Sequence, residues 1–273
     1  MTQPVLICRP GKRGEVLANT LRATGAWVEP MAVMSLQALP EDPLMRRVWL
    51  DIDQYDKIIV VSPFAALCLG NALDRYWPQL PTGIAYYGVG SATAEALFDQ
   101  LGVRVRIPSA AADRPGADQQ KAGNERGDNT SEALLALASL KNVAHQRILL
   151  VAGEGGRTLL AETLTERGAQ MTRVAVYRRI FQPPSASLQA RLATGDFRAL
   201  IVTSSELLEH LAKWCDQTAL NQPLIVSSQR LATLAGTLGF CDLKVASGAT
   251  PAALAAALGR SCNPMGADVD QGT

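Results

Sequence analysis

The feature that most constrains this chain is an internal repeat. Shifted by 143 positions, Val5–Val33 falls on Ile148–Val176 without a gap. Leu6, Leu17, Ala18, Thr20, Leu21, Gly25, Ala26, Ala32 and Val33 then meet Leu149, Leu160, Ala161, Thr163, Leu164, Gly168, Ala169, Ala175 and Val176. Further units repeat as well. Ile58-Ile-Val-Val-Ser62 answers Leu200-Ile-Val-Thr-Ser204, the stretch Gly90–Leu97 has a looser counterpart in Ser228–Leu234, and Ser131–Leu137 answers Thr250–Ala256. Each unit reads as a short apolar run followed by an amphipathic helix, often closed by a glycine such as Gly25, Gly102 or Gly168. Strands alternating with helices mean parallel sheets with right-handed crossovers. The expectation is an α/β chain of two similar parallel-sheet domains, built from a duplicated unit, with a ligand cleft between them.

The remaining features agree. A length of 273 residues allows one or two domains, and a hydrophobic fraction of 48% supplies both cores. The net charge of +1 gives no overall field toward nucleic acid or a membrane surface. No apolar run is long enough to span a bilayer, and the N-terminus lacks the pattern of a secretory signal, so a cytoplasmic protein is expected. The cysteines at 8, 68, 215, 241 and 262 form no CxxC pair, and the two histidines are far apart. Neither a disulfide framework nor a metal site is expected. Ser109–Thr130 is polar and aperiodic and reads as a mobile loop, and 263–273 as a disordered tail.

Chemistry in open parallel sheets sits beyond the carboxyl ends of the strands. Small polar residues fall there: Ser62, Gly88–Thr93 with Ser91 and Thr93, Gly153–Arg157 with Gly155, Ser204, Ser205 and Ser228. Each precedes a helix, whose free N–H groups and positive dipole end suit an anionic ligand. Arg9, Arg157 and Arg230 are candidate carboxylate partners. Gly88-Val-Gly90 and Gly153-Glu-Gly-Gly-Arg157 lack the partner residues of nucleotide motifs. No Ser-His-Asp set or nucleophile elbow is visible. An enzyme built this way works by binding geometry, with Tyr177 the candidate proton donor.

The ordered set Leu6-Ile-Cys-Arg-Pro10, Ile59-Val-Val-Ser-Pro63, Gly88-Val-Gly-Ser-Ala-Thr-Ala94, Ser131-Glu-Ala-Leu-Leu135, Gly153-Glu-Gly-Gly-Arg157, Val176-Tyr-Arg-Arg179, Val202-Thr-Ser204 and Leu238-Gly-Phe240 resembles the uroporphyrinogen-III synthase family. That resemblance implies a discontinuous first domain of 1–36 with 180–262, a second of 37–175, and a two-stranded connector through 176–179. It implies a monomeric, cofactor-independent lyase that cyclises hydroxymethylbilane, with no nucleic-acid or membrane partner and at most a transient handover from the preceding pathway enzyme. It makes Tyr177 the acid that assists loss of the substrate hydroxyl, and puts Ser62, Thr93, Ser204 and Ser205 at substrate contacts. Two departures stand out: Gln229-Arg230 replaces a threonine pair of some relatives, and Phe64 an arginine. The residues read alone also fit a non-catalytic two-domain protein that binds a small anion, or a nucleotide-dependent α/β enzyme.

Overall fold

A computed structural model describes residues 3–108 and 130–260. The expected loop therefore lies outside the described residues apart from Thr130, and the expected tail lies wholly outside them. In chain order the first stretch holds β1 (Val5–Cys8), α1 (Lys12–Ala23), β2 (Val28–Pro30), β3 (Met34–Ala38), α2 (Pro43–Leu50), a 3-10 turn (Ile52–Gln54), β4 (Lys57–Val60), α3 (Pro63–Tyr76), β5 (Ala85–Gly88), α4 (Ser91–Leu101) and β6 (Val105–Arg106). The second holds α5 (Ser131–Leu135), α6 (Ala138–Lys141), β7 (Arg147–Gly153), α7 (Leu159–Glu166), β8 (Gln170–Phe181) and α8 (Ala186–Thr194). It continues through β9 (Ala199–Val202), α9 (Ser205–Ala212), α10 (Gln217–Leu220), β10 (Leu224–Val226), α11 (Gln229–Thr237), β11 (Leu243–Val245) and α12 (Pro251–Arg260).

The chain divides into two compact units, Met1–Ser35 with Ile180–Thr273, and Leu36–Arg179. It crosses that division within β3 and within β8, which are neighbours in one sheet. In the discontinuous unit the sheet order is β11-β10-β9-β1-β2, with every neighbouring pair parallel. The other sheet is ordered β3-β8-β7-β4-β5-β6, parallel from β8 through β6. Its β3 edge is antiparallel: the Leu39 N–H donates to Val176 O and the Gln182 N–H to Val33 O, so the two numberings run opposite ways.

Reading β6-β5-β4-β7-β8 against β11-β10-β9-β1-β2 gives the duplication a structural form. β1 and β7 hold the same sheet position, each beside the strand that follows its helix. Leu17 and Leu21 of α1 are buried, as are Leu160 and Leu164 of α7. Gly25 and Gly168 close the two helices with φ of 81° and 85°, a left-handed backbone that favours glycine.

The central strands of each sheet, β1, β9 and β10 in one and β4 and β7 in the other, are buried on both faces, as helices on either side require. Side chains alternate along each strand. Ile58 and Val60 enter one core, with Leu69 and Leu73 of α3, while Ile59 enters the other, with Leu160 and Leu164. In the discontinuous unit Leu6, Leu200 and Val202 face the core that holds Phe197, while Val5, Ile7 and Ile201 face Leu17 and Leu254.

Some elements differ from the sequence expectation. The apolar pattern predicts one helix over Ser131–Leu140, but two short ones form, because Leu137 leaves the helical region with ψ 132°. The break still leaves Leu134, Leu135 and Leu140 in one core. Helices at Pro43–Leu50, Ala186–Thr194 and Gln217–Leu220 were not anticipated. Their start signals are present: Asp42, Ser185 and Asp216 each accept a backbone N–H of the first turn.

Candidate active site

Because β8 through β6 run parallel, as do the five strands of the other sheet, the carboxyl ends of these strands lie along one edge of each sheet. In Leu36–Arg179 that edge carries Ser62 after β4, Ser91 and Thr93 after β5, and Gly153, Gly155 and Arg157 after β7. Ser62 is the N-cap of α3, where its Oγ accepts the Ala65 N–H at 3.1 Å. Ser91 opens α4 and is exposed; Thr93, one turn in, is only 4% exposed.

Tyr177 reaches this edge through a register shift. Ala152 pairs with Ala175, but Gly153 pairs with Tyr177, so an extra residue is accommodated there. A bulge of this kind re-aims a side chain. The Glu154 N–H donates to Tyr177 O at 2.7 Å and fixes the shifted strand. The Tyr177 ring is buried, edge-on to Phe64 with centroids 5.3 Å apart at 82°. Gly153 completes the ring's seat: a Cβ there would lie 2.6 Å from Tyr177 Cζ. The Tyr177 hydroxyl lies 3.2 Å from Ser62 Oγ, which donates to it.

The loop after β7 is tied down by residues the sequence did not mark. Arg173 donates to the carbonyls of Gly153 and Gly155. Gly155 and Gly156 have φ of 67° and 81°. Arg157 is exposed and ion-paired with Glu132, whose carboxyl it holds below the usual range, so it is not an unengaged guanidinium. Screening at so exposed a position leaves little stability in the pair.

In the discontinuous unit the same edge carries Arg9 after β1, Ser204 and Ser205 after β9, and Ser228 and Arg230 after β10. Arg9 Nη1 donates to Ala249 O at 2.7 Å, and partial burial pushes its pKa down. Ser204 is the N-cap of α9 but makes no side-chain capping bond, unlike its repeat counterpart Ser62. Ser228 caps α11 through the Leu231 N–H at 3.4 Å, and Arg230 is exposed in the first turn. Gly14 was missed by the sequence reading: a Cβ on it would lie 1.8 Å from the Arg9 carbonyl oxygen.

A groove of about 720 Å³ between α2 and the first half of β8 is lined by Leu44, Met45, Val48, Tyr55 and Val174 among others. It includes none of the strand-end hydroxyls. Among the described residues no three His, Cys, Asp or Glu side chains are grouped so as to hold a metal ion.

The family model for uroporphyrinogen-III synthase HemD matches residues 15–256. The chain belongs to the uroporphyrinogen-III synthase family. It is 35% identical over 262 residues to the uroporphyrinogen-III synthase of Salmonella typhimurium, covering 93% of this chain and 99% of that one. It is 34% identical over 268 residues to that of Escherichia coli, with the same coverage. Among solved structures, the Helicobacter pylori enzyme has a TM-score of 0.56 at 14% identity, covering 96% of this chain and all of its own. A mutant Thermus thermophilus enzyme has 0.52 at 17%, covering 97% and 100%. At such identities the two structures establish the fold alone. Membership in the family makes the chain a cyclising lyase of haem biosynthesis. Among the described residues no helix is long and apolar enough to cross a membrane.

Proposed function

We propose that this chain closes hydroxymethylbilane into uroporphyrinogen III, with loss of water and inversion of the last pyrrole ring, and that Tyr177 is its acid. The observation that carries the reaction is the family match over residues 15–256. The substrate bears eight carboxylates, and the strand-end residues named above supply what such an anion needs: helix N-termini, hydroxyls and guanidinium groups. Arg9, Ser204, Ser205, Ser228 and Arg230 of one unit, with Ser91, Thr93, Gly153, Gly155 and Arg157 of the other, are the binding groups of this reading; Ser62 stands beside Tyr177, its Oγ already engaged with the Ala65 N–H and the Tyr177 hydroxyl.

Closure without inversion occurs unaided, so the protein's task is to hold one fold of a flexible chain, which is catalysis by orientation. The chemical assistance is small. Tyr177 donates its proton to the terminal hydroxyl, the C–O bond breaks and water leaves. The electrophilic end is attacked by the substituted carbon of the far ring, giving a spiro intermediate; the older bond from that carbon to its chain methylene then breaks, and the freed methylene joins the ring's unsubstituted α-carbon, which inverts the ring and leaves that carbon's proton to be lost. The proton released when the pyrrole regains aromaticity returns to the phenolate. No step in this reading requires a cofactor. The reading takes the protein as a cytoplasmic monomer, with substrate handed over transiently from the preceding enzyme. The free thiols of Cys8, Cys68, Cys215 and Cys241 suit a reducing compartment. Burial pushes Cys8 and Cys215 up to about 12, which keeps both thiols unreactive.

The test is product isomer analysis with freshly generated hydroxymethylbilane. A dominant type III product is expected. Type I alone, at the protein-free rate, would leave an anion-binding protein of the same fold. A second expectation concerns the seat of the acid. Gly153→Ala puts a methyl into the Tyr177 ring, which must move; turnover falls about tenfold or more, since misplacement by about 1 Å can cost 10²-fold. Overpacking costs roughly 1–3 kcal/mol of stability, read from a denaturant melt beside the kinetics.

A further inference from the structure

The hydrogen bonds at the end of β4 carry one more assignment, which rests on Tyr177 being the acid. We propose that Ser62 is a positioning residue: by donating its own proton to Tyr177 Oη, it leaves the Tyr177 proton aimed at the substrate and meets the charge left behind.

A serine hydroxyl has one hydrogen and two lone pairs. Ser62 Oγ accepts the Ala65 N–H at 3.1 Å, as an N-cap does. Its hydrogen is directed to Tyr177 Oη at 3.2 Å. A phenol oxygen that accepts from Ser62 turns its own hydrogen elsewhere. The three groups form a chain in which each bond polarises the next in the same sense. The chain begins at the N-terminus of α3, a helix of 14 residues whose positive end favours negative charge on the Tyr177 oxygen.

The ring is not free to take another arrangement. Phe64 stands edge-on to it, and the missing Cβ of Gly153 is where its far edge rests. For two neutral hydroxyls 3.2 Å is long. As Tyr177 gives up its proton, the oxygen becomes an anion facing a donor already aimed at it, and the bond shortens and strengthens. The interaction is therefore stronger in the transition state than in the bound substrate, and its loss acts on kcat rather than KM.

The experiment uses the full chain with Ser62→Gly, Ser62→Ala and Ser62→Thr, each alone and with Tyr177→Phe. Glycine is tolerated at an N-cap, so Ser62→Gly removes the hydroxyl with least harm to α3; Ser62→Ala is the second hydroxyl-free variant, and melting curves confirm that each folds. Expected is a fall in kcat of about tenfold in both hydroxyl-free variants, KM within about twofold of wild type, and recovery in Ser62→Thr, which keeps donor and cap. On the Tyr177→Phe background the Ser62 changes should add nothing further, because the two groups act as one unit. A raised KM with kcat intact would make Ser62 a direct substrate ligand and overturn the proposal. So would losses that multiply on the Tyr177→Phe background. Full activity in Tyr177→Phe alone would instead sink the acid reading, and this inference with it.

Discussion

Tyr177→Phe is expected to lower turnover by roughly 10²–10³-fold while leaving substrate affinity nearly unchanged, the range for loss of a general acid. The argument is geometric. Phenylalanine keeps the ring that packs on Phe64 and over Gly153 and removes one oxygen. The Ser62 hydroxyl loses its acceptor but still caps α3. Stability should therefore change by no more than about 1 kcal/mol, the usual worth of one hydrogen bond. What disappears, on the proposed role of Tyr177, is the proton that turns the substrate's hydroxyl into water. Single-turnover kinetics with isomer separation is the check. An unchanged rate of type III formation would remove Tyr177 from the mechanism without touching the family assignment.

Gly14→Ala is expected to be the most damaging small substitution in the discontinuous unit. Its Cβ would lie 1.8 Å from the Arg9 carbonyl oxygen, a backbone atom that cannot swing aside. Either the first turn of α1 unwinds or the chain after β1 shifts. Overpacking against backbone costs about 2–4 kcal/mol. For a unit of this size that lowers Tm by roughly 5–10 °C. Activity should fall as well, because Arg9 follows β1 directly and its side chain is anchored on Ala249 O at 2.7 Å. Gly11→Ala is the control: its φ is 71° but open space surrounds it, so only backbone strain of about 1 kcal/mol is expected. Equal, small losses in the two variants would show that the close approach to Arg9 yields without cost.

Gly14 was legible in part, since a glycine in the first turns of an otherwise helical pattern calls for a packing reason. The sequence could not supply that reason, because the contact depends on how the chain turns between β1 and α1. Arg173 gave no signal at all. It lies 20 residues from Gly153, and only the pairing of β7 with β8 brings its guanidinium to the loop carbonyls. Glu132 likewise meets Arg157 only because α5 and α7 pack together.

The sequence by itself determined the fold class and the duplication, and it marked the small polar residues at the strand ends. Those follow from periodicity, closing glycines and apolar runs, which are local and repeat with the unit, as Gly25 and Gly168 do. It also marked Tyr177, though only through the ordered motifs: shifted by 143 positions, Tyr177 falls on Met34, so the repeat accounts for the strand and not for its hydroxyl. Tertiary structure alone decided how that hydroxyl is held. The register shift at Ala152/Gly153, the ring seat of Phe64 and Gly153, and the bond from Ser62 join residues as far as 115 positions apart. Side-chain direction at a bulge depends on pairing between strands, and no local pattern encodes it.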